Sequence, residues 1–457
     1  MGKKYIAAIL IGLAYTANAQ RVLTYDTYMK NVREKNVEYI VEKYNLSIAE
    51  ANTQAAKVMP DPEISFGYEN NQDKTMQMGQ AYAAELGYTL ELGGKRSARM
   101  AVARSEQQMT GALVEDFFRN LRADATLCYL DALKQKQLVA LALSSYESMR
   151  ELARGDSLRL ALGEIAEVDA LQTRLEATTM MTGYLQAEAD YQDMLSDLMV
   201  FEGGVADVET GQGADVGMLH EGTLNAEELH AGTLHGETLH AETLHATSLQ
   251  GELRVIQRVY NLQNLIELAQ ENRADLRTAI LNRELSAANV RLAKANRVID
   301  LGLNIGFTHN TIVLNEIAPA PRHNSFAAGI SIPLKFSNAN KGELRAAQFS
   351  EQQAKAQYDA VLLQIRKEVE QCYNRYTSAC RQAEEYQNSA LTNAATILEK
   401  KKFSYARGET SLLEVLDAQR TANEVFRAYY EALFNANASL VELCRSVGIW
   451  ENVFAFL

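Results

Sequence analysis

The chain has 457 residues, with 58 acidic against 45 basic side chains, a formal charge of −13 and five prolines. That balance excludes nucleic acid as a partner, because a polyanion is held by a basic surface. No apolar run of ~18 residues follows the opening segment, so no helix is expected to cross a bilayer. Abundant Ala, Glu, Gln and Leu with so little proline predict long helices instead.

Residues 1–19, MGKKYIAAILIGLAYTANA, combine a basic start at Lys3 and Lys4, an apolar run from Ile6 to Tyr15 and a small-residue site before Gln20. This is the pattern of a secretory signal peptide, so the mature chain is expected to work beyond the inner membrane. Cys128, Cys372, Cys380 and Cys444 all lie far from that site, which leaves no acyl anchor there. Cys372 and Cys380 would sit roughly 12 Å apart on one helix, beyond disulfide reach. The cysteines read as small buried residues.

One order of elements occurs twice, in a first repeat over 20–200 and a second over 258–457. Asn52 matches Asn289 and Lys57 matches Lys294 at one offset, while Cys128 with Cys372 and Gly163 with Gly408 match at slightly larger ones. Such small gaps are what a duplicated unit with loop changes shows. Helical stretches are expected at about 25–58 and 165–200, then at 262–298 and 412–447. Proline-free rods of about 65 residues over 97–161 and 342–406 would each span roughly 100 Å.

Each repeat also carries a hairpin. Tyr82, Ala84, Leu86, Tyr88, Leu90 and Leu92 alternate with small or polar residues, as do Phe326, Ala328, Ile330, Ile332, Leu334 and Phe336. Ile64, Phe66 and Tyr68, and Leu301, Leu303, Ile305 and Phe307, supply the partner strands. A half-buried sheet in a soluble domain gives the same alternation. An isolated hairpin is marginal in water, however, and strands of ~10 residues with one apolar face suit an outer-membrane barrel. Four strands cannot close a barrel, so several chains must combine. The aromatic and aliphatic faces, with Tyr82, Leu86, Tyr88, Phe326, Ile330 and Phe336 among them, are expected to meet lipid.

Residues 201–257 separate the repeats with a Gly-rich acidic linker and a five-residue repeat of leucines, most of them followed by histidine. A period of five keeps no single helix face, so the tract reads as a disordered or loosely coiled expansion. It resembles a pentapeptide β-helix only in period. A metal-collecting role for His230, His235, His240 and His245 is the alternative. No nucleophile elbow, phosphate loop or His-Glu-x-x-His motif occurs, so neither an enzyme nor a cofactor is expected.

With YARGETSLLEVLDAQR at 405–420, its partner LALGEIAEVDALQTR at 160–174, and MPDPEISFGY and IPLKFSNANKGELRAA as strand-entry and strand-exit segments, the chain resembles the TolC family of outer-membrane efflux proteins. The resemblance implies a mainly α fold with a small transmembrane β part: a homotrimer in outer-membrane lipid, with a 12-stranded β-barrel continued by an α-barrel of long helical hairpins across the periplasm. Function as the exit duct of a tripartite efflux pump follows, with a periplasmic membrane-fusion adaptor and an inner-membrane pump of RND type as partners. A type I protein-secretion duct and a periplasmic scaffold are the alternatives, and the His tract and acidic mouth tilt the cargo towards heavy metals.

The turns around Gly163 and Gly408, with Arg407, are implied as adaptor-docking tips. Glu414, Asp417, Asp169 and Tyr405 are implied at the periplasmic gate. Leu160 stands at the position matching Tyr405, and Thr410 where some members carry a basic residue. Glu414 and Asp417 are three residues apart and share one helix face. In a trimer they would form two carboxylate rings that favour cations and raise some of the pKa values.

Overall fold

A computed structural model describes residues 21–74, 77–204, 247–255, 258–334 and 340–450. The signal segment, most of the His/Leu tract with His230, His235, His240 and His245, and Phe336 lie outside the described residues. The element order is β1 (Arg21–Leu23), α1 (Tyr25–Lys35), α2 (Val37–Ala55), β2 (Glu63–Asn70), β3 (Gln80–Leu90), α3 (Lys95–Ala161) and α4 (Glu167–Phe201). It continues with β4 (Thr247–Leu249), α5 (Leu262–Asn272), α6 (Ala274–Ala295), β5 (Leu301–Asn310), β6 (His323–Ser331), α7 (Lys341–Glu385), α8 (Leu391–Ala406) and α9 (Leu412–Val447).

The two hairpins join through β3 and β5 into one antiparallel sheet of order β2-β3-β5-β6. Its register puts Phe66, Ala84, Phe307 and Phe326 in one row, and Ile64, Leu86, Ile305 and Ala328 in the next. Directly opposed residues share a face, so the apolar sides of all four strands coincide. The other face carries rows such as Ser65, Glu85, Gly306 and Ala327. Phe66 and Phe326 are more than 80 % exposed; nothing among the described residues covers them. Tyr82, Leu86 and Ile330 are exposed on the same face, while Tyr88 is half-buried and its hydroxyl reaches the Met59 sulfur. The final strand is shorter than its alternation predicts: β6 ends at Ser331, and Ile332 and Leu334 lie beyond it. Pro333 explains this, since it supplies no N–H to a ladder.

The first rod is one continuous helix of 67 residues. The second is not, because a five-residue π-helical turn at Tyr386–Ala390 separates α7 from α8. The offset between the repeats grows by one residue between Cys128/Cys372 and Gly163/Gly408, and a π turn is how a helix absorbs an added residue. The first of the shorter helical stretches in each repeat is likewise divided, at Asn36 and at Arg273, where the backbone turns extended.

Those breaks sit where helices stack end to end. Asn36 caps α2 by accepting from the Tyr39 N–H, and its Nδ2 donates to the Phe201 carbonyl at the end of α4. In the second repeat the Arg273 guanidinium donates to the Ser446 carbonyl near the end of α9. Gly203 and Gly448 close the two stacks with positive φ, where a Cβ would press on the Lys35 carbonyl or the Asn272 backbone. The same offset separates this glycine pair and the pair Gly163 and Gly408. Each repeat thus sets shorter helices, stacked end to end, beside one long helical column.

The main core is a belt partway along the rods, where Tyr129, Leu130 and Leu133 of α3, Ile365 and Val369 of α7, and Leu433 and Leu440 of α9 meet α1 and α5. The Tyr129 hydroxyl lies 2.6 Å from the Gln250 carbonyl and 3.1 Å from that of Leu23, its one proton shared between them, pinning the short parallel pair β1-β4 to it. Away from the belt the described core shrinks to clusters such as Val102, Leu285 and Ala288. The four cysteines are free thiols, and burial pushes Cys128 up to about 12, the behaviour of packed, inert side chains.

Candidate functional site

Two helical hairpins, α3-α4 and α8-α9, end in turns of one construction. Gly163 and Gly408 both have φ +76°, a conformation open to glycine and costly for other residues. At the first turn the Gly163 N–H bonds the Leu160 carbonyl and the Glu164 N–H the Arg159 carbonyl, each at 2.9 Å. At the second, Gly408 and Glu409 bond Tyr405 and Ser404 at the same distances. These are paired Schellman closures. A Cβ at either glycine would meet open space, so the backbone alone selects the residue. The next helix starts differently in the two turns: Ser411 caps α9 by accepting from the Glu414 N–H, whereas Ala166 offers α4 no side-chain cap. Arg407 is exposed and lies over the Phe403 ring at 4.1 Å.

Behind the second turn, Glu414 and Asp417 line one groove between α8 and α9 with Ile397, Lys401 and Thr421. The shared face expected from their spacing is present. Each carboxylate also has a cation beside it. Lys401 Nζ donates to Glu414 Oε2 at 2.5 Å, and Arg420 pairs with Asp417 at 2.9 Å. Within one chain the Lys401 hydrogen bond draws Glu414 down to about 2. Within one chain the groove is therefore a neutral quartet. Lys401, from the preceding helix, supplies the cation missing at Thr410. Asp169 is not among the residues lining the groove; its charge instead acts on Tyr405.

Tyr405 is buried, and its hydroxyl donates to Asp156 Oδ2 at 2.9 Å, joining the second repeat to the long helix of the first. The Asp156 carboxylate is almost fully enclosed, with Arg159 3.7 Å away and also facing the Tyr405 ring. Burial and the Asp156 carboxylate hold the tyrosine proton well above its usual range. Further from the turn, Lys402 donates to Ser148, and Ser145 donates to Asn423, which also accepts from Gln419. This ladder of polar links fastens α8 and α9 to α3.

Sequence reasoning found Tyr405 but missed Asp156, Lys401 and the Lys402–Ser148 link. Asp156 had a signal: it falls on the helical stripe of Met149 and Ala153, both buried, where an acid needs a partner. The other two depend on which helices become neighbours, which spacing along the chain does not reveal.

A sheet apolar on one face and open at both edges, carried by long stacked helices, defines a membrane-anchored channel wall. Residues 265–448 match the model of the family described as Outer membrane efflux protein. The cobalt-zinc-cadmium resistance protein CzcC of Cupriavidus metallidurans is 22% identical over 426 residues, 93% of this chain and 90% of that protein. The outer membrane protein TolC of Vibrio cholerae is 24% identical over 190 residues, 40% of this chain and 43% of that one. Among solved structures, the outer-membrane channel OprN superposes with a TM-score of 0.68 at 17% identity, covering 93% of this chain and 89% of that one. CusC gives 0.67 at 14% identity, with 93% and 91% covered. The second repeat thus carries the outer membrane efflux protein domain, and the chain is an efflux channel subunit of the outer membrane.

Proposed function

We propose that three copies of this chain assemble into a duct whose strands close a 12-stranded barrel, with the α3-α4 and α8-α9 turns as its periplasmic mouth. The observation that carries this is the four-stranded sheet, exposed along both outer strands and apolar across one whole face. Unpaired edges and an uncovered apolar face are costly in water. Further copies pairing β6 with β2, and lipid against the face, remove both costs at once. Exposed Val168, Leu171 and Leu175 on α4 are similarly left for a neighbouring copy.

In this reading Gly163, Gly408 and Arg407 shape the tips that meet a periplasmic adaptor, itself joined to an inner-membrane pump of RND type. Tyr405, Glu414 and Asp417 hold the mouth closed, with Asp169 beside them. Similarity to CzcC along nearly the whole chain supports divalent metal ions as cargo. The test extracts the full chain from outer membranes. Heat-labile trimers that conduct in planar bilayers are expected, together with restored cobalt and zinc tolerance in a host lacking its own duct but keeping the pump. Monomers without conductance would overturn the assembly, and conducting trimers without restored tolerance would overturn the cargo.

A further inference from the structure

On the α3-α4 hairpin, Tyr146, Arg150, Arg154, Ser157, Arg174 and Thr178 line an open groove of about 330 Å³. It brings three guanidinium groups together on a chain of net charge −13. All three arginines are exposed, and none forms an ion pair among the described residues. Arginines elsewhere near the turns are engaged: Arg159 with Asp156, and Arg420 with Asp417.

The groove lies on the opposite face of the two-helix layer from the acidic one. Aligning Gly163 with Gly408 places Arg154 at the position of Glu399 and Arg174 at that of Gln419. The other groove uses Ile397, Lys401, Glu414 and Asp417. At ~100° per residue, the two sets stand about 110° apart, in the same sense, on both antiparallel helices. That rotation carries a groove from one side of a helix pair to the other. If the acids line the duct, the arginines face the periplasm. They are also separate from the surface left for a neighbouring copy, because Val168, Leu171 and Leu175 lie about 100° further round α4.

We infer that this groove docks an acidic helix of the periplasmic adaptor, so that the first repeat grips its partner by charge while the second does not. This rests on the duct-and-adaptor reading above. Tyr146 to Ser157 extends about 17 Å along α3, room for three turns of a helix laid in the groove. Arg150 and Arg154 are one turn apart, with Arg174 across the groove on α4. They match a helix bearing carboxylates four residues apart, which guanidinium groups hold in bidentate fashion. Arg154 and Arg174 are nine and eleven residues from Gly163, so contact here and contact at the tip can be made by one partner hairpin. The second repeat offers Glu399 and a buried Gln419 at the equivalent places. Its acid-facing groove is already neutralised within the chain.

The test immobilises full-length trimer in nanodiscs and titrates the purified adaptor encoded with its pump, in 0.05–0.3 M salt. The variant R150E/R154E/R174E is expected to weaken binding at least tenfold at the lowest salt and to flatten the salt dependence. R150K/R154K/R174K should keep most of the affinity, and reversing the adaptor's facing carboxylates to lysine should restore binding to the glutamate variant. Binding within twofold of the parent, while the tip variant Arg407→Glu loses it, would overturn the groove and leave tip docking intact. No binding by the parent trimer would remove the adaptor reading together with this one. Dissociation of the glutamate variant into monomers would assign the arginines to a contact between copies and overturn the inference.

Discussion

Replacing Tyr405 with Phe removes one hydroxyl and little else. The ring stays in the cluster with Leu412 and Val415, and Arg159 keeps its place over the ring face. What is lost is the 2.9 Å hydrogen bond to Asp156, between groups 7 % and 1 % exposed. A hydrogen bond to a charged acceptor contributes ~1.5–3 kcal/mol, and among the described residues the enclosed carboxylate keeps only Arg159, 3.7 Å away, as a charged partner. If the link is made only when the hairpins are closed, the closed-to-open ratio per chain should fall about tenfold to a hundredfold, since ~1.4 kcal/mol is a factor of ten. In planar bilayers the trimer should show longer or larger openings, with its melting temperature nearly unchanged because the belt of core residues lies elsewhere. Asp156→Asn, which keeps a neutral acceptor, should fall between parent and Tyr405→Phe. Open times and conductance within twofold of the parent, in a correctly inserted trimer, would refute the reasoning.

Removing the Lys401 ammonium by Lys401→Met should return Glu414 from about 2 to the ordinary carboxylate range or above. The sign follows from a depressed folded value: the ion pair holds at every pH above the unfolded carboxylate value and is lost only as pH falls towards 2. Parent conductance and cation block should therefore be flat from pH 8 to 4, while the variant shows an inflection near pH 4–5. Gly163→Ala and Gly408→Ala should each cost ~1 kcal/mol through backbone strain alone, because φ is +76° and the added methyl meets nothing; faster amide exchange confined to the turns would show it. On the sheet, Phe326→Arg should cost ~2–4 kcal/mol near the bilayer midplane and block insertion. Ser325→Arg, one residue away on the opposite face, should be tolerated. Equal insertion of the two variants would reverse the assigned lipid face.

The hairpins, the long rods and the turn glycines were legible because each is a local pattern: period two, period near 3.6 without proline, and a glycine where φ must be positive. The bounds of α9 were read to the residue. Three features were not legible, each for its own reason. The breaks at Asn36 and Arg273 consist of single residues whose side chains close a junction with a helix more than 160 residues away, and no local signal marks them. The π turn registers only as an offset slipping by one between repeats. The pairing of Glu414 with Lys401 crosses from α9 to α8, and acids counted along one helix say nothing about a cation on another.

The two end-to-end junctions show how far the repeats have diverged within one geometry. In the first, a neutral Asn36 caps α2 and reaches the Phe201 carbonyl. In the second, the buried Arg273 guanidinium holds the Ser446 carbonyl while engaging Asp275 and Glu368 at 2.5 and 2.7 Å. Burial opposes that charge, and the two carboxylates more than offset it, holding Arg273 firmly protonated. Arg273→Ala removes the buried cation between two acids, leaving Asp275 to Arg119 at 3.9 Å and Glu368 to Gln364, and should cost ~3 kcal/mol. Asn36→Ala forfeits neutral hydrogen bonds and a cap, ~1–2 kcal/mol. Since hairpin α8-α9 hangs below the charged junction and α3-α4 below the neutral one, thermal or denaturant stress should loosen the first repeat's stack before the second's. Amide exchange at Val37–Ile40 running faster than at Ala274–Arg277 would bear this out; the reverse order would mean that tertiary packing, not junction chemistry, sets the stability of each column.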